Sequence, residues 1–495
     1  SAPVDFELDE ALVERAVPFR RGQVLLATHA GYANRVQEEI QRLGLECQLV
    51  YNRGELMILP PGVSKGLGLV RALDSLGLSP HNTIGVGDAE NDHSLLGICE
   101  TGVAVANAVD GLKRHADVVL EHPGGEGVTG LLQRILQGDT ASLRTTRWLI
   151  ELGRFVEGGR AAIPGSQINL LIAGGSKAGK SFVGGAFAER LIELGYSVCI
   201  IDPEGDYVSL GQLHGVECLA QRGQAPDIDQ VRRLLVHRFG SVIVDLSLTN
   251  PAEHASWTQR LLRELARTRR ETGMPHWIIV DEAHHALGLP GELLTTLDEG
   301  DKGYCLVTYQ PQLLAERLKS AIDVLLVLPG GKRMAGPDPL AEIDRLCGLE
   351  VSERLQSAEK GQAALVRLTN GHDIRLVTLA ARRTEHVRHW HKYLQARLPP
   401  GLRFVFRKAG EPGGTTASNV EEFRELLRAS PPEVVATHAE RSDFSRWIAE
   451  ALQDEALAQA VRPIERKFVA SNRATGDIEA LRLDVGAAVR QRYVE

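Results

Sequence analysis

Short apolar runs alternating with stretches of helical period fill most of the chain. In residues 1–60, Gln23–Thr28 reads as a strand, Tyr32–Leu43 as an amphipathic helix and Cys47–Tyr51 as a second strand. Residues 61–137 then alternate: helix Lys65–Leu76, strand Asn82–Val86, helix Ser94–Cys99, strand Thr101–Ala104, helix Val109–His115 and strand Asp117–Leu120. Apolar strands alternating with helices predict a parallel sheet. The polar, Gly-rich stretch Gly124–Gly130 is expected to break this pattern, and a helix around Leu143–Phe155 to link two domains.

A second α/β block runs from Gln167 to Leu379. Its strands are expected at Ile168–Ala173, Ser197–Asp202, Ser241–Asp245, Trp277–Asp281, Cys305–Thr308 and Val324–Leu328. After Pro399-Pro400-Gly401 the composition changes. Glu411–Thr416 reads as a flexible linker, and Asn419–Glu495 as helices broken at Pro431-Pro432 and again at Pro463. The expected division is 1–60, 61–140, a linker helix at 141–165, 166–398 and 399–495.

The length of 495 residues suits several domains at roughly 150 residues each. The net charge of −8 excludes a uniformly basic nucleic-acid binder and leaves room only for a local basic channel. Six scattered cysteines form no CxxC pair, so neither a zinc site nor a disulfide framework is expected, and a reducing cytoplasm fits. No apolar run approaches the ~18 residues that would suggest a membrane span.

The strongest chemical signal is Gly174-Gly175-Ser176-Lys177-Ala178-Gly179-Lys180-Ser181, which fits GxxxxGK[ST] between an apolar strand and the helical pattern Phe182–Leu194. Glycines let backbone N–H groups curl around phosphate, and the helix N-terminus adds partial positive charge. Lys180 is expected to reach the β- and γ-phosphates and Ser181 to hold Mg²⁺. A second element, Trp277–Ala283, is an apolar strand ending in Asp281-Glu282. Asp281 suits the magnesium shell, and Glu282 is placed to polarise the attacking water, which favours hydrolysis over phosphoryl transfer to a small molecule.

With Ile201-Asp202-Pro203-Glu204-Gly205-Asp206-Tyr207 between them, these motifs make residues 167–395 resemble the HerA/FtsK-like branch of additional-strand P-loop ATPases. The resemblance implies a RecA-like core, ATP and Mg²⁺ as cofactors, and a homo-oligomer, often a hexameric ring. That branch carries a polar sensor after the next strand. Here the stretch is Thr308-Tyr309-Gln310-Pro311, in which Tyr309 occupies the usual Gln position and Thr308 or Gln310 is the candidate sensor. Arg263, Arg267, Arg270, Arg317 and Arg333 are candidate arginine fingers.

An earlier pair of motifs, Gly62-Val63-Ser64-Lys65-Gly66 and Thr83–Asp92 with Gly87-Asp88-Ala89-Glu90-Asn91-Asp92, is followed by Gly102–Ala108. Residues 20–137 thus resemble the later half of a haloacid dehalogenase-type phosphatase of the Cof-like subgroup, with 1–60 as the end of its cap domain. The resemblance implies that Lys65 steadies phosphoryl oxygens and that Asp88, Asn91 and Asp92 form a Mg²⁺ site. The DxD stretch that carries that family's nucleophile does not occur upstream of Lys65. The chain starts at Ser1, and an N-terminally incomplete piece of a longer protein is expected ahead of a binding-only module.

The expected fold is therefore α/β: a haloacid dehalogenase-like Rossmannoid domain, a RecA-like P-loop ATPase domain and a small helical C-terminal domain. Three functions are open. The first is a bifunctional ATPase and phosphatase acting on a phosphorylated small molecule. The second is a ring-shaped motor on DNA. The third is a nucleotide-regulated assembly with a phosphatase-like sensor. In the C-terminal part, Thr437–Ile448 gathers His438, Arg441, Asp443, Phe444, Arg446 and Trp447. There Asp443 is expected to cap a helix, and Phe444 and Trp447 to pack in the core. His284-His285 are expected to be structural, and His386, His389 and His391 to lie on a solvated helix with Arg382, Arg383 and Arg388.

Overall fold

The computed structural model describes residues 2–138, 143, 145, 147–176, 178–236, 240–288, 300–330, 339–368, 373–384, 398, 400–408, 413–452 and 454–493. Lys177, Arg333, His386, Arg388, His389, His391, Pro399 and Glu411 lie outside the described residues.

Four antiparallel strands open the chain: β1 (Arg20–Arg21), β2 (Leu26–His29), β3 (Gln48–Asn52) and β4 (Glu55–Leu59), in the order β1-β2-β4-β3. Helices Glu7–Glu14 and Ala33–Leu43 bury Leu8, Leu12 and Val36 with Leu26, Leu56 and Ile58 of the sheet. A two-residue turn, Arg53-Gly54, joins β3 to β4 with φ +47° and +91°. Both values are positive, as a primed hairpin turn requires.

Next come β5 (Ile84–Gly87), β6 (Thr101–Ala104) and β7 (Val118–Val119), the parallel sheet expected from the alternation. Gly124–Gly130 does not break the pattern but starts the helix Gly124–Leu136. Val128, Leu131 and Ile135 recur at helical spacing and pack on the core of this sheet, which outweighs the poor helix propensity of the glycines.

The remaining α/β block is one eleven-stranded sheet. Its strands are β8 (Leu149–Phe155), β9 (Arg160–Pro164), β10 (Leu170–Gly174), β11 (Val198–Asp202), β12 (Val216–Ala220), β13 (Ser241–Asp245), β14 (Trp277–Val280), β15 (Tyr304–Thr308), β16 (Val324–Leu328), β17 (Gln362–Arg367) and β18 (Asp373–Leu379). They lie in the order β12-β13-β11-β14-β15-β10-β16-β17-β18-β8-β9. Pairing is parallel from β12 to β16 and antiparallel from there to β9. The linker helix expected around Leu143–Phe155 is corrected: Leu149–Phe155 is strand β8. Ile150 and Leu152 are buried while Glu151 and Arg154 are not, a period of two that the ladders to β9 and β18 satisfy.

After β19 (Phe404–Phe406) and its antiparallel partner β20 (Thr415–Ala417) the chain is helical. Thr415 and Thr416 are strand rather than linker. Pro463 sits inside the helix Glu455–Val469 rather than ending it, because Leu457, Ala458, Val461 and Phe468 anchor that helix in a core with Phe423, Phe444 and Trp447. No helix among the described residues is long and apolar enough to cross a membrane.

The first α/β module docks on the large sheet through a buried polar network. Glu100 and His81, from the module, are both almost fully buried. His81 gives Nε2 to the Leu194 carbonyl at 2.9 Å and faces Glu100 with Nδ1 at 2.7 Å. Tyr196 donates its hydroxyl to Glu100 at 3.0 Å and stacks on the His81 ring at 3.8 Å, and the Ser166 hydroxyl donates to the other carboxylate oxygen. Burial first, and the Glu100 charge second, push the Tyr196 phenol far above its usual range, which keeps it a donor. Trp148 donates Nε1 to the Glu100 carbonyl at 3.1 Å, and Asn82 donates Nδ2 to the Gly273 carbonyl at 3.0 Å.

Glu100→Ala removes one partner of this buried pair and strands the others, which costs about 3 kcal/mol. The Tyr196 amide is then expected to exchange its hydrogen about a hundredfold faster, read by mass spectrometry of the native chain. A change below about threefold would mean that the modules are held by apolar contact alone.

Candidate functional site

Every strand of the central sheet that carries a predicted motif ends on the same edge. β10 ends at Gly174, β14 delivers Asp281 and Glu282, and β15 between them ends at Thr308. Gly179 has φ +95° at the residue before the helix Lys180–Glu193, a left-handed conformation that a side chain would strain. Lys180 and Ser181 are the first two residues of that helix, and Phe182 packs against the core beneath it. The Lys180 ammonium donates to the Gly175 carbonyl at 3.1 Å, folded back over its own loop. Gly175, Ser176 and Ala178 lie between β10 and this helix, and Lys177 is outside the described residues. Gly184, in the next turn of the helix, lets the Tyr207 hydroxyl come to 2.5 Å from where a Cβ would stand.

Asp281 is buried and accepts the Glu282 N–H on Oδ1 at 2.9 Å, while its Oδ2 has no hydrogen-bond partner among the described residues. Burial first, then Glu282, Asp206 and Asp202, hold its carboxyl well above the usual range. Burial likewise raises Asp202, with Asp245 and Asp206 adding to it. An uncompensated buried carboxylate oxygen beside other acids is a hard-oxygen environment that suits Mg²⁺. Among the described residues no group of three or more His, Cys, Asp or Glu side chains is placed to hold a metal ion, so Asp281 and Ser181 would share such an ion with phosphate oxygens. Glu282 has φ +46°, a strained conformation for a non-glycine residue at the tip of a strand. A cavity of about 450 Å³ opens beside Asp281 and Glu282, lined also by Glu204, Ser247, His254 and His285.

His284 connects these parts. Its Nδ1 shares a hydrogen bond with Thr308 Oγ1 at 3.0 Å and lies 3.5 Å from Glu282 Oε2. Thr308 Oγ1 also accepts the Gln310 N–H at 3.0 Å, so the two sensor candidates meet at one hydroxyl. The Tyr309 ring meets His284 edge-on at 4.6 Å and stands 5.5 Å from the Lys180 ammonium. Burial, then His285 and the Lys180 charge, push the His284 imidazole down to about 4, so it is neutral at pH 7. Sequence reading gave His284 a structural role and named Tyr309 only as the residue at the usual Gln position of the sensor. The signal for both is their place, just after Asp281-Glu282 and after a strand end. Of the arginine-finger candidates, Arg263, Arg267 and Arg270 lie on the helix Pro251–Thr272, where Arg267 pairs with Glu271 at 3.3 Å, and Arg317 opens the helix Glu316–Ser320.

The first module brings Lys65, Asn91 and Asp92 together. Lys65 Nζ lies 2.5 Å from Asp92 Oδ1 and 3.3 Å from Asn91 Oδ1. Asp92 Oδ2 accepts the Asp88 and Ala89 N–H groups at 2.9 and 3.1 Å. Lys65 and these two amides draw its carboxyl below the usual range, although burial opposes them with the largest single contribution. A Cβ on Gly87 would stand 2.5 Å from Asp92 Cβ, so this seat needs glycine. Both Asp92 oxygens are therefore engaged by protein donors, and Asp88 is left as the outward-facing acid. Arg53, from the β3–β4 turn, pairs with Asp88 Oδ2 at 2.9 Å and donates to the Asn107 carbonyl at 2.9 Å. Sequence reading missed Arg53. The Asn52-Arg53-Gly54-Glu55 hairpin signature could have placed it at a loop tip.

Residues 22–132 match the family model described as haloacid dehalogenase-like hydrolase. Over 132 residues the chain is 36% identical to phosphoglycolate phosphatase 2 of Saccharolobus solfataricus, covering 26% of this chain and 54% of that protein. It is 34% identical over 135 residues to phosphoglycolate phosphatase of Methanopyrus kandleri, covering 27% and 53%. The chain thus spans about half the length of the curated relatives it matches. Among solved structures it is similar to the genome packaging NTPase B204 from Sulfolobus turreted icosahedral virus 2 in complex with ATP-gammaS, at 16% identity, 43% of this chain, 98% of that chain and a TM-score of 0.32. It is also similar to VirB4 of Thermoanaerobacter pseudethanolicus, at 15% identity, 47%, 96% and 0.37. The chain carries a haloacid dehalogenase-like module at residues 22–132, joined to an α/β domain that carries the Gly174–Ser181 motif and to a helical C-terminal region.

Glu282→Gly relieves the left-handed backbone and removes a carboxylate from the neighbourhood of Asp281, at the cost of a more flexible unfolded chain. A net gain of about 1 kcal/mol in unfolding free energy is expected from urea denaturation. A loss of that size would mean that contacts of the Glu282 side chain outweigh the strain.

Proposed function

We propose that the chain is a Mg²⁺-dependent ATP hydrolase of the HerA/FtsK-like P-loop class carrying a haloacid dehalogenase-like phosphoryl-binding module. The observation that supports it most is the convergence, on one sheet edge, of the Gly179-Lys180-Ser181 helix start with a buried Asp281 and a strained Glu282. The loop amides and Lys180 bind the phosphates, and release of Lys180 from the Gly175 carbonyl frees its ammonium for them. Ser181 and Asp281 are the residues that would hold Mg²⁺, which when bound offsets charge on the phosphate oxygens. Glu282 orients and deprotonates the attacking water. His284, neutral and bonded to Thr308, positions Glu282 and the Thr308–Gln310 segment that senses the terminal phosphate.

In the first module Lys65, held by Asp92, and the outward acid Asp88 form a phosphoryl-binding seat. Covalent phosphatase chemistry there requires an aspartyl nucleophile facing Lys65. Among the described residues the acid against Lys65 is Asp92, whose oxygens are already engaged. The bifunctional reading thus rests on the Lys65 seat, and the ATP site is the primary catalytic assignment.

Phosphate release from Mg·ATP by the purified chain tests this. Lys180→Ala is expected to abolish nucleotide binding. Glu282→Gln is expected to keep binding and to lower turnover by about a hundredfold or more, the usual contribution of a positioned base. Unchanged turnover in Glu282→Gln would remove Glu282 from catalysis. Tight ATP binding without turnover in the parent chain would instead favour a nucleotide-regulated assembly.

A further inference from the structure

We propose that the C-terminal domain carries a binding site for a phosphate-bearing small molecule, separate from both sites above. A cavity of about 590 Å³ lies between residues 401–408, around β19, and the turn from His438 to Arg446. Its size is that of a small-molecule pocket. Five cationic side chains line it: Arg403, Arg407, Lys408, Arg441 and Arg446. The acids in its wall are Asp443 and Glu450.

Asp443 balances only Arg446 among these five cations. Its Oδ2 takes His438 Nδ1 at 2.8 Å and its Oδ1 pairs with Arg446, so it does not cap the helix Asp443–Trp447 as the sequence suggested. Ser442 precedes that helix with φ +53° and makes no side-chain cap. Arg403 spends its Nε on the Leu398 carbonyl at 2.7 Å. Among the described residues no carboxylate lies within ion-pair distance of Arg407, Lys408 or Arg441. Among the described residues, Arg407, Lys408 and Arg441, from two distant segments, therefore line one cavity without an ion-pair partner, with Glu450 as the remaining acid in its wall, in a chain whose net charge is −8. A dianionic phosphate is the ligand that such a cluster recognises.

The site is also built in advance. His438 is buried and ties the two basic segments together: Nε2 accepts the Arg407 N–H at 3.2 Å while Nδ1 holds Asp443. The left-handed Ser442 sets the turn between Arg441 and Asp443, backbone strain of a kind found at ligand clamps. Phe404 and Trp447 form the apolar floor, and Trp447 spends its Nε1 on the Leu402 carbonyl at 2.8 Å. With both rings buried, this cavity offers no exposed aromatic face on which a nucleic-acid base could stack, which favours a small ester over a strand.

Isothermal titration of the full chain with glucose 6-phosphate and with inorganic phosphate tests the site, comparing the parent with the Arg407→Ala/Arg441→Ala double variant. Both residues are exposed, and matched thermal melts check the fold, with the single Arg441→Gln as the substitute if the melts differ. The double variant is expected to weaken the ester's Kd by about tenfold or more and to leave the affinity for ATP unchanged. Arg407→Lys is expected to stay within about threefold of the parent. Tighter binding of the ester supports an organic phosphate as ligand, and equal binding of inorganic phosphate supports the free ion. Equal affinities in parent and double variant would overturn the site. So would failure of both phosphates to bind while a single-stranded oligonucleotide binds through Arg407 and Arg441.

Discussion

The parallel strands from β13 to β16 in the order of the large sheet are buried on both faces, and this decides where chemistry can occur. These six strands are nearly continuous apolar runs, because any charge between their ends would be stranded in the core. The ionisable groups are pushed to the carboxyl edge, where Asp202 and Asp245 end their strands and Asp281 follows the last residue of β14. There burial raises the carboxyls of Asp202 and Asp281, with Asp245 adding to the first and Asp202 to the second. The same sterics that build the sheet thus gather acids that want a cation, opposite a helix start that wants an anion. On the proposed function, a metal–phosphate ligand would relieve both at once.

That constraint explains what was legible in the sequence. The six motif-bearing or motif-flanking parallel strands were readable because double-sided burial writes itself as an unbroken apolar run. The strands of this sheet that escaped notice, β8, β9, β12, β17 and β18, are edge or antiparallel strands, and β8, β12 and β18 carry charged residues among their apolar ones. In β18, Asp373-Ile374-Arg375-Leu376-Val377-Thr378-Leu379 carries charge among its apolar residues and becomes a strand through its ladders to β17 and β8. Gly124–Gly130 misled in the opposite direction, since composition suggested a break where the apolar positions further along the helix decided the outcome.

The residues that sequence reasoning undervalued owe their roles to proximity across the chain. His284 has an ordinary identity and gains its place from Thr308 and Tyr309, at the end of β15, and from Lys180, at the start of a helix. Arg53 reaches Asp88 only because a two-residue turn carries it over the module's strand ends. His438 reads as part of a compact motif, yet its second nitrogen is used by the backbone of Arg407, far earlier in the chain. Motifs local in sequence could be recognised; constellations assembled by the fold could not.

The docking of the first module belongs to the same logic. The helix that opens with Lys180 and Ser181 under the phosphate loop ends at Glu193, and its Leu194 C-cap carbonyl is bonded by His81. A helix leaves its last carbonyls without internal partners, and here the neighbouring module supplies one of them. Buried Val183, Phe187 and Leu191 fix the helix between these two ends. The helix that opens with Lys180 and Ser181 is therefore completed at its other end by the first module. Its negative dipole end faces an imidazole N–H, while its positive end lies at the carboxyl edge of the sheet. The two modules share a structural member rather than merely a linker, and that gives a physical reason for finding them in one chain.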